Sequence, residues 1–195
     1  MNLPNKLTVL RMVLIPFVMF FYLANFIPFG IGKIVALVIF IIAALTDLLD
    51  GKIARKYNLV TNFGKFLDPI ADKLLTSAVL FMLMADGTIP APWGVVVVTI
   101  IIAREFMVSA LRLMAATKGT VLAADIWGKA KTMVQMIAIP VCMLIPFLCE
   151  IGAVCWLIKT VAIIGWVAIG VATVLTIVSG INYLLKNKDC FKENK

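Results

Sequence analysis

Four aspartates stand out in an apolar chain, all within the 26-residue segment DLLDGKIARKYNLVTNFGKFLDPIAD. Asp47 and Asp50 are spaced i, i+3, so on a helix they lie about 60° apart on one face. Gly51 and Ala54 fall on that face too. Asp68 and Asp72 are spaced i, i+4 and share a face of the following helix. A turn between the two helices makes them antiparallel, so both pairs are expected at the same end of a bundle. Four carboxylates gathered in a low-dielectric site repel one another, and burying any of them uncompensated is costly. A divalent cation, or two, would neutralise them. Oxygen donors without sulfur or imidazole suit Mg²⁺, Mn²⁺ or Ca²⁺, and Mg²⁺ is usually shared between carboxylates and substrate phosphates. The competing reading is a salt-bridge network with Lys52, Arg55, Lys65 and Lys73. Gly51 and Ala54 leave the metal-facing side without bulk, so a nucleotide can approach the backbone there. Gly64 either does the same on the next helix or is a plain turn glycine. Arg55 either forks onto phosphate oxygens or anchors the helix at the membrane surface.

The elements that must position these residues are membrane spans. The chain has 195 residues, 63% hydrophobic and only 14% charged, against about 45–50% and 25% in soluble domains. Its mean hydropathy is +1.09. A span needs about 20 apolar residues. Six stretches qualify: 7–26, 34–54 (free of charge to Thr46), 63–84, 92–116, 127–149 and 154–185. The expected fold is therefore an all-α integral membrane protein, a six-transmembrane-helix bundle. Residues 1–185 form a single catalytic domain and 186–195 a polar tail. A cleaved signal peptide fits less well, because no small-residue cleavage site ends the first run and more apolar runs follow. "NFIPFGIGK" and "ADGTIPAPW" read as turns, and Asn58, Thr61 and Asn62 as a turn leading to a helix cap.

Net charge is +8 and there is no histidine. That removes imidazole acid–base chemistry and His-ligated zinc. Sixteen of the 18 Lys and Arg fall on one side of a six-span topology, with only Lys33 and Lys159 on the other. The positive-inside rule then puts both termini in the cytoplasm, on the side of the aspartates. The charge sits at the ends of apolar segments, so no nucleic-acid partner is expected. Cys142, Cys149 and Cys155 read as membrane packing and Cys190 as a tail thiol. Trp93, Trp127 and Trp156 read as interfacial belt residues. Asn5, Lys6 and Arg11 either enter the interface or line the site.

The segment matches D-x-x-D-G-x-x-A-R-x8-G-x3-D-x3-D at every fixed position. It resembles the signature of the CDP-alcohol phosphatidyltransferases, which join a CDP-linked lipid to an alcohol and release CMP. The resemblance implies that Asp47, Asp50, Asp68 and Asp72 surround one or two divalent cations, Mg²⁺ or Mn²⁺. It implies that Gly51, Ala54, Arg55 and Gly64 contact the CDP moiety, and that Asp72 is the general base. It also implies a homodimer; the expected location is the plasma membrane, with the charge distribution turning the active site to the cytoplasm.

The acceptor must be read elsewhere. Arg104 lies about 11 residues from the outer end of its span, roughly 16 Å at 1.5 Å per residue, so it is expected near mid-membrane. An ionisable residue there marks function by default. Glu105 is a candidate partner, Arg112 lies two turns on, and Lys129 and Lys131 enter from the cytoplasmic end of the fifth span. This excess of cations fits an anionic acceptor bearing phosphate; the alternative is a structural Arg–Glu pair with surface lysines. "NLPNKLTVLRMVLIPF", "AREFMVSALR" and "GKAKTMVQM" resemble the bacterial branch of the family that makes phosphatidylglycerol phosphate. That resemblance implies CDP-diacylglycerol as donor and sn-glycerol 3-phosphate as acceptor, its phosphate held by Arg104, Arg112, Lys131 and Lys129. The rival readings are a cardiolipin or phosphatidylinositol-phosphate synthase, a cation transporter, and a structural scaffold. The transporter reading lacks the repeats and mid-membrane helix breaks common in that class.

Overall fold

The computed structural model describes residues 3–24, 27–56, 62–117 and 126–186. They form six α-helices: α1 Leu3–Leu23, α2 Ile31–Lys56, α3 Asn62–Ala85, α4 Trp93–Thr117, α5 Ile126–Glu150 and α6 Cys155–Lys186. A 3₁₀ turn, Pro28–Gly30, leads into α2. No strand occurs among the described residues. Most helix ends fall within a few residues of the apolar-run boundaries. The largest difference is at α1, which begins at Leu3 rather than Leu7. Pro4 explains the early start: in a first helical turn its missing N–H has no intrahelical partner to lose.

Four helices, α1, α4, α5 and α6, are long and apolar enough to cross a membrane. In α2 the apolar stretch ends at Thr46, one residue before Asp47. In α3 the run is broken by Lys65, Asp68, Asp72 and Lys73. Charge thus interrupts both helices that bear the aspartates, as it also interrupts α4 at Arg104, Glu105 and Arg112.

α1 packs on α2 and α3, α5 packs on α6 and α2, and α4 closes the bundle against α6 and α3. Tyr22, Phe40, Leu75, Leu83, Ile139 and Met143 are buried at its centre. Phe17, Phe20, Ile42, Phe81, Ile137 and Val167 are exposed. An outside this apolar is the surface expected of a protein solvated by lipid. Trp93, Trp127 and Trp156 are exposed at or next to helix starts, where belt residues sit. Cys142 packs in the core, whereas Cys149 and Cys155 are exposed and free. Only the first of these three therefore packs within the chain: the other two flank the α5–α6 turn, where no neighbouring helix covers them.

One end of the bundle is tied by polar contacts. The Tyr22 hydroxyl donates to Asp86, and the Asp86 carboxylate accepts the Thr88 N–H at 2.9 Å. The Trp166 indole donates to the Thr88 carbonyl at 2.7 Å. Lys33 donates to the Tyr22 carbonyl at 2.7 Å, with its ammonium 4.2 Å from the Tyr22 ring centre. α1, α2, the α3–α4 turn and α6 are joined by these bonds.

Close approach of α1 and α2 depends on Gly32. A Cβ added there would lie 2.5 Å from the Phe21 carbonyl oxygen, a backbone atom that cannot swing aside. Gly32→Ala is expected to destabilise the fold by about 1–3 kcal/mol. The check is the thermal unfolding midpoint in detergent; an unchanged midpoint would mean that the two helices can part there at no cost.

Candidate active site

Helix α2 runs unbroken through Asp47, Asp50, Gly51, Ala54 and Arg55, and α3 carries Gly64, Asp68 and Asp72. The two helices touch. The side chains of Asp47, Asp50, Asp68 and Arg55, and the surroundings of Gly51, Ala54 and Gly64, lie outside the described residues. So do the side chains of Lys52 and Lys65. Asp72 is described. It is half-buried and faces a narrow pocket that it shares with Thr76, Glu105, Lys131, Thr132, Gln135 and Met136. Three helices meet here: α3, α4 and α5.

Glu105 is the hub of the α4–α5 side. Lys131 donates to its carboxylate, and the Arg104 guanidinium donates to the same oxygen at 3.2 Å. Lys131 is only 1% exposed. A buried ammonium is tolerable only when paired and hydrogen-bonded, and Glu105 supplies both. Lys73, also buried, donates to the Ser109 hydroxyl across the α3–α4 contact.

The Arg104 guanidinium lies beside the start of α5. The Arg104 Cα is eleven residues past Trp93, but its side chain runs between α5 and α6. A Cβ added at Gly180 would lie 3.3 Å from Arg104 Cγ, and one added at Gly128 would lie 3.2 Å from Nη2. Gly128 is in the first turn of α5. The long arginine stem therefore delivers its guanidinium toward the polar end of the bundle, as such side chains do in membranes. The glycines at 128 and 180 leave room for it.

Of the four expected acceptor-binding residues, Arg104 and Lys131 are brought together on Glu105. Lys131 also lines the pocket beside Asp72. Arg112 lies over the Tyr183 ring at 5.7 Å, a cation–π contact. Lys129 is exposed. Neither Arg112 nor Lys129 lines the pocket. Asn5 and Arg11 are buried, and Lys6 is exposed. Sequence reasoning missed Thr76, Gln135 and the Glu105–Lys131 pair. A signal for Gln135 existed: it is the one carboxamide in α5 and stands four residues after Lys131, on the same helical face.

A family description, CDP-alcohol phosphatidyltransferase, matches residues 1–182. The chain belongs to that family. It is 44% identical to a Bacillus subtilis protein named CDP-diacylglycerol--glycerol-3-phosphate 3-phosphatidyltransferase, over 98% of this chain and 97% of that protein. A Rickettsia bellii protein of the same name is 36% identical, with 97% of each chain covered. One from Haemophilus influenzae is 35% identical, over 99% of this chain and 97% of that one. As a CDP-alcohol phosphatidyltransferase, the chain is a membrane-embedded transferase of phospholipid synthesis.

The four carboxylates expected as metal ligands stand on α2 and α3, and the described pocket beside Asp72 offers oxygen and nitrogen groups but no thiolate or imidazole, a chemistry that fits a hard cation. Such donors select Mg²⁺ or Mn²⁺ over zinc or copper. Among the described residues no group of three or more His, Cys, Asp or Glu could hold a metal; three of the four expected ligands lie outside that set.

Proposed function

We propose that this phosphatidyltransferase moves the phosphatidyl group of CDP-diacylglycerol to sn-glycerol 3-phosphate, giving phosphatidylglycerol phosphate and CMP. The observation that carries the reading is the shared pocket of Asp72 and Lys131, a proton acceptor and a phosphate-binding cation side by side. The names of relatives that match along nearly their whole length support the same acceptor.

The chemistry is a displacement at the lipid-side phosphorus. The lipid tails stay in the bilayer while Gly51, Ala54, Arg55 and Gly64 receive the CDP moiety at the ends of α2 and α3. Lys131 and Arg104, held on Glu105, draw in the acceptor phosphate, with Arg112 and Lys129 adding positive charge around the mouth. Asp72 takes the proton from the acceptor's primary hydroxyl as its oxygen bonds to phosphorus, and the bond from phosphorus to the CMP oxygen breaks. One or two divalent cations, Mg²⁺ or Mn²⁺, held by Asp47, Asp50, Asp68 and Asp72, would neutralise charge on the diphosphate and the departing CMP. Arrangement of the bundle as six spans with both termini and the site on the cytoplasmic face of the plasma membrane, and as a homodimer, belongs to the same proposal. The distribution of Lys and Arg supports the orientation.

Purified protein supplied with CDP-diacylglycerol and Mg²⁺ is expected to release CMP when sn-glycerol 3-phosphate is added. Inositol phosphate or phosphatidylglycerol should give none. Chelation by EDTA should stop the reaction, and Mg²⁺ or Mn²⁺ should restore it. CMP release with phosphatidylglycerol but not with glycerol 3-phosphate would overturn the acceptor, and release undiminished by EDTA would overturn the metal.

A further inference from the structure

Each polar group of the pocket beside Asp72 has a task except one. The Thr76 hydroxyl donates to the carbonyls of Asp72 and Lys73, both at 3.2 Å. The Thr132 hydroxyl donates to the Gly128 carbonyl at 3.0 Å. Glu105 and Lys131 are bonded to each other. Gln135 differs: it is 4% exposed, and its Oε1 is buried with no hydrogen-bond partner. A buried carbonyl oxygen left unmade costs about 1–3 kcal/mol, and native proteins rarely leave one without reason.

The acceptor proposed above carries three polar features. Its phosphate is assigned to Lys131 and Arg104, and its reacting primary hydroxyl to Asp72. The secondary hydroxyl remains. Gln135 stands one helical turn beyond Lys131 on the same face of α5, about 6 Å deeper at 1.5 Å per residue. Pointing its phosphate toward Lys131, a three-carbon acceptor carries its carbon chain toward that level. We infer that Gln135 reads the acceptor's secondary hydroxyl, accepting a hydrogen bond from it through Oε1, and thereby selects a phosphorylated polyol over a phosphorylated simple alcohol. The inference rests on the proposed acceptor.

The assignment explains why an uncompensated amide is kept in this wall. A site built to bond a hydroxyl rejects the analogue without it, because the protein group is then buried unpaired. A leucine or methionine at 135 would pack as well and discriminate no longer.

The test compares two acceptors, sn-glycerol 3-phosphate and propane-1,3-diol monophosphate, which lacks only the secondary hydroxyl. kcat/KM for each is measured by CMP release with CDP-diacylglycerol. Wild-type protein is expected to prefer the glycerol compound by about 10- to 100-fold. In Gln135→Leu and in Gln135→Met the ratio should fall to within about 3-fold of unity, because both variants lose the hydroxyl contact. A purely structural role would slow both acceptors equally and leave the ratio unchanged, which would overturn the inference. So would a wild-type enzyme indifferent to the hydroxyl, or variants that both fail to fold by thermal melting. Wild-type protein that releases no CMP with glycerol 3-phosphate would instead overturn the acceptor on which the inference stands.

Discussion

Asp72→Asn is expected to lower CMP release by about 10²–10⁴-fold, the usual worth of a positioned general base. Asparagine has nearly the shape of aspartate, so the half-buried position and its neighbours Thr76, Lys131 and Gln135 should stay packed. What is lost is the negative oxygen proposed to accept the proton. An amide cannot take that proton, and it is also a weaker partner for a cation. The comparison is kcat under saturating Mg²⁺, with the thermal midpoint measured alongside. A variant that keeps more than about a tenth of wild-type kcat would remove Asp72 from proton transfer.

Glu105→Gln should damage the fold as well as the reaction. Glu105 is the acceptor for both Arg104 and Lys131, and the Lys131 side chain is 2% exposed. Neutralising the carboxylate removes the anion to which both cations are bonded, leaving Asp72 as the other carboxylate of the pocket. Breaking a buried pair from one side costs about 3–5 kcal/mol. Glu105 is 18% exposed, so water recovers part of that and the lower end is expected. The pairing predicts a rescue: Glu105→Gln combined with Lys131→Met should be less destabilised than the sum of the two single changes. Thermal unfolding of the four proteins in one detergent closes the cycle. Simple additivity would mean that the two residues do not interact.

The candidate site was partly legible in the sequence. Asp47, Asp50, Asp68 and Asp72 stand out in the sequence because a short-range spacing of charge within apolar runs encodes a shared helical face; of their side chains, Asp72 alone is among the described residues. The same runs, bounded by Pro, Gly and charge, mark six helices to within a few residues. Glu105 and Lys131 are different. They are 26 residues apart and meet only because α4 and α5 converge, which no local period reports. Arg104 was legible as an intramembrane charge, but the direction of its side chain was not, because that depends on vacancies at Gly128 and Gly180 on two other helices. Gln135 has an ordinary polar identity and becomes notable only when its burial and its missing partner are seen. The tie from Tyr22 through Asp86 and Thr88 to Trp166 escaped for the same reason: one of its bonds ends on a backbone carbonyl, which every residue has.

The sideways reach of Arg104 has a consequence for how two immiscible reactants meet. Its guanidinium lies beside the first turn of α5, and α6 ends at Lys186, six residues or about 9 Å beyond Gly180. On the proposed orientation and substrates, a sugar-like phosphate arriving from water would be caught beside that helix start without shedding its whole hydration shell, and a diacyl lipid would present its diphosphate at the ends of α2 and α3. Neither compound has to change phase; the protein needs only to hold a wet corner open against oil.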